Sequence, residues 1–352
     1  MRQLVGALAT VFLAFVSCGA GFGRTLREPA LMPIEQQVPD VATNPVIIVT
    51  IDGVMWQDAF GSQSHELMPN TWRAVEARGS ALGAPGHGEA FSASGPNFVS
   101  LPGYTELFEG RTRTGCTTNF CDGATAPTLA DEIKAQHVDE PASVAVIASW
   151  DRIANAATIS SFDLVIDAGS AQAQAGEAVL LENPHTQWAY HAGYHVNSWP
   201  GHGDYRADRD TASLALAYLQ VNRPAFLFIG LGDTDEYAHR GDRPRYEASL
   251  RYADQVIGSV FEELRQMGRR GEMTTVIITA DHGRANNFRD HGGDHPESAQ
   301  SWLFVVGPRI SRGMYVSAPV PRHLADIAPT VRFLVGLPVN LLSDGTVMRE
   351  LL

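Results

Sequence analysis

Apolar residues gather along this chain in short continuous runs, separated by segments with helical spacing. Val46-Ile-Ile-Val-Thr-Ile51 is β-branched throughout and ends in Asp52-Gly53, the pattern of a strand buried on both faces. Runs of the same kind span Ser143 to Ala148, Phe162 to Ile166, Ala225 to Gly230, Thr274 to Thr279 and Trp302 to Val306. Helical patterns lie between them, clearest from Asp208 to Gln220, Tyr246 to Met267 and His323 to Leu334. Strands alternating with helices predict an α/β fold, a mostly parallel central sheet with helices on both faces. Glu182 to Tyr205, rich in His, Trp, Gly and Asn with little periodicity, is expected as a loop or small cap.

The N-terminus differs in kind. Arg2, an apolar stretch from Leu4 to Ser17 and the small residues Cys18-Gly19-Ala20 predict an export signal over 1–20. Two processing outcomes stay open: cleavage near Ala20, or lipid modification of Cys18, because Phe15-Val16-Ser17-Cys18 has the shape of a lipobox. The apolar run is short for a membrane span and no second one follows, so the mature chain is expected outside the cytoplasm, periplasmic or extracellular, without a transmembrane anchor. Residues 21–44 are Pro-rich and aperiodic, a flexible linker, and 45–352 are expected to fold as a single catalytic domain. A hydrophobic content of 44% excludes disorder for most of the chain, and a net charge of −13 excludes an electrostatic grip on nucleic acid. Export also bears on Cys116 and Cys121: a local disulfide is expected rather than free thiols or half a zinc site, since no partner Cys stands elsewhere.

In open α/β sheets ligands bind beyond the carboxyl ends of strands. Three of the runs end in metal-type ligands. Asp52 follows the first, Asp235 follows the run ending at Gly230 with Asp233 as a competitor, and Asp281-His282 follows Thr279. Asp235 and His239 are four residues apart, on one face if the segment is helical; the plainer alternative is a capping Asp beside a surface His. A loop follows with His291-Gly292-Gly293-Asp294-His295, and either histidine could complete a site. Ser100 opens a helical pattern that ends at Gly110, with Pro102 in its first turn. A hydroxyl there is a helix cap, a nucleophile or both.

With these motifs in this order, from about Asn44 to the C-terminus, the chain resembles the alkaline phosphatase superfamily, and within it the type I phosphodiesterase and nucleotide pyrophosphatase branch. The motifs are Asp52 at the first strand end, Ser100 ten residues before Gly110, Asp235 to His239, Asp281-His282-Gly283, His291-Gly292, and the closing Asp326-Ile-Ala-Pro-Thr330 and Asp344-Gly345. The resemblance implies one metal held by Asp235, His239 and His291 and another by Asp52, Ser100, Asp281 and His282. The pair of divalent ions would be zinc, with manganese or iron fitting similar sites. It also implies attack by Ser100 and a phosphoseryl intermediate. Gly115 and Asn119 match a Gly and, four residues on, an Asn whose amide binds a phosphoryl oxygen, so Asn119 joins Ser100 as a catalytic residue. Three departures stand out: Ala238 replaces a Gly, Gly103 replaces an Asn, and no ligands of a third, magnesium, site can be assigned.

The expectation is therefore an exported hydrolase of small-molecule phosphate esters, leaning to diesters. Phosphomonoesterase is the alternative. A sulfatase is disfavoured because Tyr104 stands where an Arg is needed, and a phosphoglycerate mutase because of length and export. A non-catalytic metal-binding protein is disfavoured because nucleophile and ligands are all present. Further substrate contacts are expected from Arg152, for which a structural salt bridge is the alternative, and from Trp199, His202 and Tyr205 in the cap.

Overall fold

The computed structural model of the chain describes residues 44–160, 164–169, 175–193 and 199–352. The expected export signal, Cys18 and the expected linker up to residue 43 lie outside these residues. So do 161–163 of the strand expected from Phe162 and 194–198 of the expected cap. The described strands, in chain order, are β1 (Val46–Ile51), β2 (Gly79–Leu82), β3 (Phe91–Ser92), β4 (Val144–Ala148), β5 (Val165–Ala168), β6 (Phe226–Leu231), β7 (Thr275–Thr279), β8 (Leu303–Val306), β9 (Met314–Val316) and β10 (Arg322–His323). Eight form one sheet in the order β5-β4-β6-β1-β7-β8-β2-β9, while β3 pairs with β10. From β5 to β7 the neighbours are parallel; β8 runs against both β7 and β2.

The continuous apolar runs supply the centre of this sheet because both its faces are covered. Along β1, Val46 and Ile48 join one apolar core, and Ile47, Val49 and Ile51 join the other. Helices Ser100–Glu109, Leu129–Gln136 and Ile327–Val335 bring Leu107, Ile133 and Val331 to the first core. Helices Pro69–Arg78, Asp208–Asn222 and Arg243–Gln266 bring Trp72, Tyr218 and Ile257 to the second.

Three expectations need correction. The strand expected from Phe162 to Ile166 is described as Val165–Ala168 and runs on through buried Asp167, whose carboxylate pairs with Arg206. The helix expected from His323 begins only at Ile327. Arg322–His323 instead pair with β3, and Asp326 accepts the His323 amide at 3.0 Å across a short 3-10 turn. The aperiodic cap segment contains a helix, Pro184–Gly193, which buries Thr186, Ala189 and Tyr190. β2 was not expected at all: Gly-Ser-Ala-Leu carries too little apolar bulk to read as a strand.

The sheet puts three chemistry-bearing strand ends side by side. β6, β1 and β7 are neighbours in register, with Ile51 opposite Leu231 and Thr50 opposite Thr279, so their carboxyl ends are level. The Asp52 amide continues the ladder, donating to the Leu231 carbonyl at 2.9 Å. Helix Ser100–Glu109 packs against the same end so tightly that a Cβ on Gly103 would lie inside contact distance of the Asp281 carbonyl oxygen. The Asn of the resembled family does not fit here. Gly103→Ala is expected to cost about 1–3 kcal/mol of stability by displacing the helix, and to reduce turnover by shifting Ser100. Denaturant unfolding and a rate assay on the same preparation check both.

Candidate metal centre

Asp52 extends β1 by one residue, and its side chain meets helix Ser100–Glu109. Oδ2 accepts the Tyr104 hydroxyl at 2.9 Å and Oδ1 lies 3.4 Å from Ser100 Oγ. Ser100 is the first residue of that helix, and the residue at its N-cap, Val99, has no capping side chain. The exposed amide of Leu101 is instead capped by Asn119, whose Oδ1 accepts it at 2.9 Å. The Ser100 hydroxyl is thereby left to the centre, 3.2 Å from His282 Nε2.

Both inner histidines are held by backbone carbonyls. His282 Nδ1 lies 2.8 Å from the Gly283 oxygen and His291 Nδ1 lies 2.9 Å from the Phe98 oxygen. Those contacts require the proton on Nδ1, which leaves Nε2 with its lone pair, as metal ligation needs. The two rings stack with centroids 4.0 Å apart. Asp235 and His239 share one face of helix Asp233–His239, with Oδ2 2.9 Å from His239 Nε2, and His239 Nε2 is 3.1 Å from His291 Nε2. The ligand atoms fall into two overlapping groups, Asp52 with Asp281 and His282, and Asp235 with His282 and His291; within each group they lie within 4.8 Å of one another. His282 belongs to both groups. His239 adjoins the second through its contacts to Asp235 and His291.

The remaining candidates divide. Asp233 is committed elsewhere, to the Tyr205 hydroxyl at 2.5 Å and the Asp208 amide at 3.1 Å. His295 precedes a short 3-10 helix and belongs to neither ligand group. Cys116 and Cys121 are joined in a disulfide that encloses Asn119. Arg152 donates to the Cys121 carbonyl at 2.7 Å, binding that ring to the end of β4, and its charge also acts on the neighbouring Asp151 carboxylate. Trp199 lies under the Arg240 guanidinium, 4.5 Å away, and His202 is exposed on the turn before Tyr205. Sequence reasoning missed Tyr104, Asn97 and Arg284. Tyr104 is four residues after Ser100 on the same helix face, a spacing that could have revealed it. Asn97 joins Gly293 to Thr117, accepting from one at 2.6 Å and donating to the other at 2.9 Å. Arg284 follows Asp-His-Gly directly and pairs with Asp235 Oδ1.

The electrostatics call for a cation. Burial raises the Asp52 carboxyl well above its ordinary range, and repulsion from Asp281 and Asp235 adds to it. Burial, with repulsion from Asp235, pushes Asp281 up to about 8. Burial would raise Asp235 too, but Arg284, His239 and His291 together hold it well below the usual range. Asp281 Oδ2 is buried without a hydrogen-bond donor. An orphaned carboxylate oxygen, a second buried carboxylate and imidazole lone pairs together make the donor set of a divalent metal site, so the residues fit such ions. A cavity of about 570 Å³ runs along Pro102, Gly103 and Glu106 of helix Ser100–Glu109 to Asn97 and Thr117; its lining takes in neither Ser100 nor the candidate ligands.

The family model for type I phosphodiesterase / nucleotide pyrophosphatase matches residues 119–321, more than half of the chain. The chain belongs to this family. The phosphodiesterase-family match begins after Asp52 and Ser100, so those two are tied to it by geometry alone. The chain is 27% identical over 132 residues to a 2,3-bisphosphoglycerate-independent phosphoglycerate mutase of Nostoc punctiforme, covering 36% of this chain and 24% of that protein. It spans about a quarter or less of the length of the curated relatives it matches. Its fold is similar to that of the alkaline phosphatase PafA, at 12% identity and TM-score 0.60 over 88% of this chain and 99% of the other. A 2-O GAG sulfatase is similar at 13% identity and TM-score 0.61 over 87% and 73%. These likenesses establish an alkaline phosphatase-like fold. No helix among the described residues is long and apolar enough to cross a membrane.

Protons and metal compete for the same oxygens, with a definite sign. Because the folded chain keeps a proton on Asp281 up to about pH 8, whereas an unfolded carboxyl loses it near pH 4, protein stripped of metal should lose stability as pH rises between those values. Its melting temperature should fall by roughly 5 °C or more across that window, while metal-loaded protein or a stripped Asp281→Asn variant should show a flatter profile. Thermal melts of stripped and zinc-loaded protein from pH 5 to about pH 8 check this.

Proposed function

We propose that this chain is an exported two-metal phosphoric ester hydrolase whose nucleophile is Ser100, acting on small phosphate esters and preferring diesters. One observation carries the reading: Ser100 Oγ, freed from helix capping, lies 3.2 Å from His282 Nε2 and 3.4 Å from Asp52 Oδ1, among the residues fit to hold metal. Asp235, His239 and His291 would hold one ion, and Asp52, Ser100, Asp281 and His282 the other, with His282 lying between them. Mixed carboxylate and imidazole donors suit zinc first, then manganese or iron. Such ions, when bound, lower the pKa of the serine hydroxyl and take up charge on the phosphate oxygens.

The chain's own residues do the rest. Tyr104 fixes the orientation of Asp52 through Oδ2 and leaves Oδ1 toward the serine. Ser100 Oγ attacks phosphorus as its proton leaves; a new O–P bond forms while the bond to the leaving oxygen breaks. Water then attacks the phosphoseryl group, releasing phosphate or its monoester and restoring the hydroxyl. Asn119 spends its carbonyl oxygen on Leu101, so its amide nitrogen is the donor left for a non-bridging oxygen. The apolar N-terminal segment and the Cys116 to Cys121 disulfide both suit an exported protein.

Rates on nitrophenyl monoester, diester and sulfate substrates, with zinc supplied, test the proposal. The diester should turn over fastest; sulfate turnover at a comparable rate would overturn it. Ser100→Ala should lower kcat by about 10⁴-fold or more with unfolding unchanged. Asn119→Ala should lower kcat by about 100-fold, with a smaller change in KM.

A further inference from the structure

Arg284 is the one permanently charged cation paired with this centre among the described residues, and its side chain is fully buried. Each of its donor-bearing nitrogens has a partner. Nε donates to the Phe288 carbonyl at 2.6 Å, Nη2 to the Arg289 carbonyl at 2.6 Å, and Nη1 to Asp235 Oδ1. The two carbonyls belong to a tight turn, in which the Phe288 amide donates to Ala285 at 2.9 Å and the Ala285 amide to Asp290 at 2.8 Å. Phe288 adopts φ +71° in this turn, a conformation that residues with a Cβ avoid. Its ring is held edge-on by Tyr246, with centroids 5.0 Å apart. The next residue after the turn is His291. No other side chain could replace this contact set: lysine has one nitrogen where three fixed directions are used.

Resting on the two-metal reading above, we propose that Arg284 is the positioning residue of the Asp235, His239 and His291 site. It locks the carboxylate and the turn that delivers His291 into one unit before an ion arrives. The guanidinium fixes Asp235 with Oδ2 beside His239 Nε2 at 2.9 Å and Oδ1 facing His291 Nε2 at 3.7 Å. A site of one carboxylate and imidazoles selects a small transition-metal ion over calcium, which needs six or more oxygens. Arginine's positive charge opposes a cation nearby, while its geometry prepares the ligands; here the geometry outweighs the charge.

Two variants of the full chain separate these effects. Arg284→Lys keeps the charge and loses the fork, and Arg284→Met loses both. Zinc-loaded protein is titrated with a chromogenic chelator and release of the two ions is followed. Both variants should hold one ion about 10–100-fold more weakly and the other nearly as the wild type does. Wild-type affinity in Arg284→Lys, tighter binding in Arg284→Met, or equal loosening of both ions would each overturn the proposal. A wild-type chain that takes up no zinc is a distinct result, which sinks the two-metal reading and this inference with it. Hydrogen exchange on wild-type protein supplies a check independent of any variant. Amides from 285 to 291 should be protected to the same extent with metal stripped or bound, and loss of protection on stripping would show that the ion, not Arg284, orders the turn.

Discussion

Burial of three neighbouring carboxylates, with their mutual repulsion added to it, governs this end of the molecule. Asp52, Asp235 and Asp281 follow three neighbouring strands, and burial removes the water that would otherwise screen them from one another. Folding alone does not relieve this. Asp52 and Asp281 are left favouring their protonated forms, while Asp235 escapes because Arg284, His239 and His291 converge on it. The same crowding that penalises the empty arrangement makes it receptive to divalent ions, since a charge that repels its neighbours attracts a cation with equal reach.

The fold meets this constraint by spending stiffness where it matters. Parallel neighbours in register deliver the carboxyl ends of β6, β1 and β7 at one level, and apolar cores on both faces keep the strands from shifting. Small residues then allow close approach. Gly53, at φ +61°, lies where any side chain would collide with Asp235 and Arg284, and Gly103 lets the nucleophile helix rest on the Asp281 backbone. His282 and His291 are aimed by backbone carbonyls through Nδ1, so their orientation is fixed by the fold.

What could be read from the chain beforehand follows the same division. The continuous apolar runs that became β1, β4, β6 and β7 are legible because a strand buried on both faces has no charged position to interrupt it. Residues just beyond such strands share one rim by topology, so Asp52, Asp235 and Asp281-His282 could be named together. Discrimination between near neighbours was less accessible. Asp233 and Asp235 are two residues apart, and only the partnership of Asp233 with Tyr205 and Asp208 separates them. His291 and His295 differ in whether the chain turns between them and the centre. Elements stabilised by long-range partners were illegible: β2 depends on pairing with β8, buried Asp167 on Arg206, and Arg284 on Asp235. No local pattern encodes those partners.

The small ring closed by Cys116 and Cys121 has a temporal consequence. Asn119 is inside the ring, and Arg152 fastens the ring to the end of β4 through the Cys121 carbonyl. The cap on the nucleophile helix therefore hangs from a covalent link that the ribosome does not make. A newly synthesised chain in a reducing compartment has the sheet and the ligands but lacks the bond that tethers Asn119. Final alignment of the helix end is thereby coupled to oxidation of this one cysteine pair.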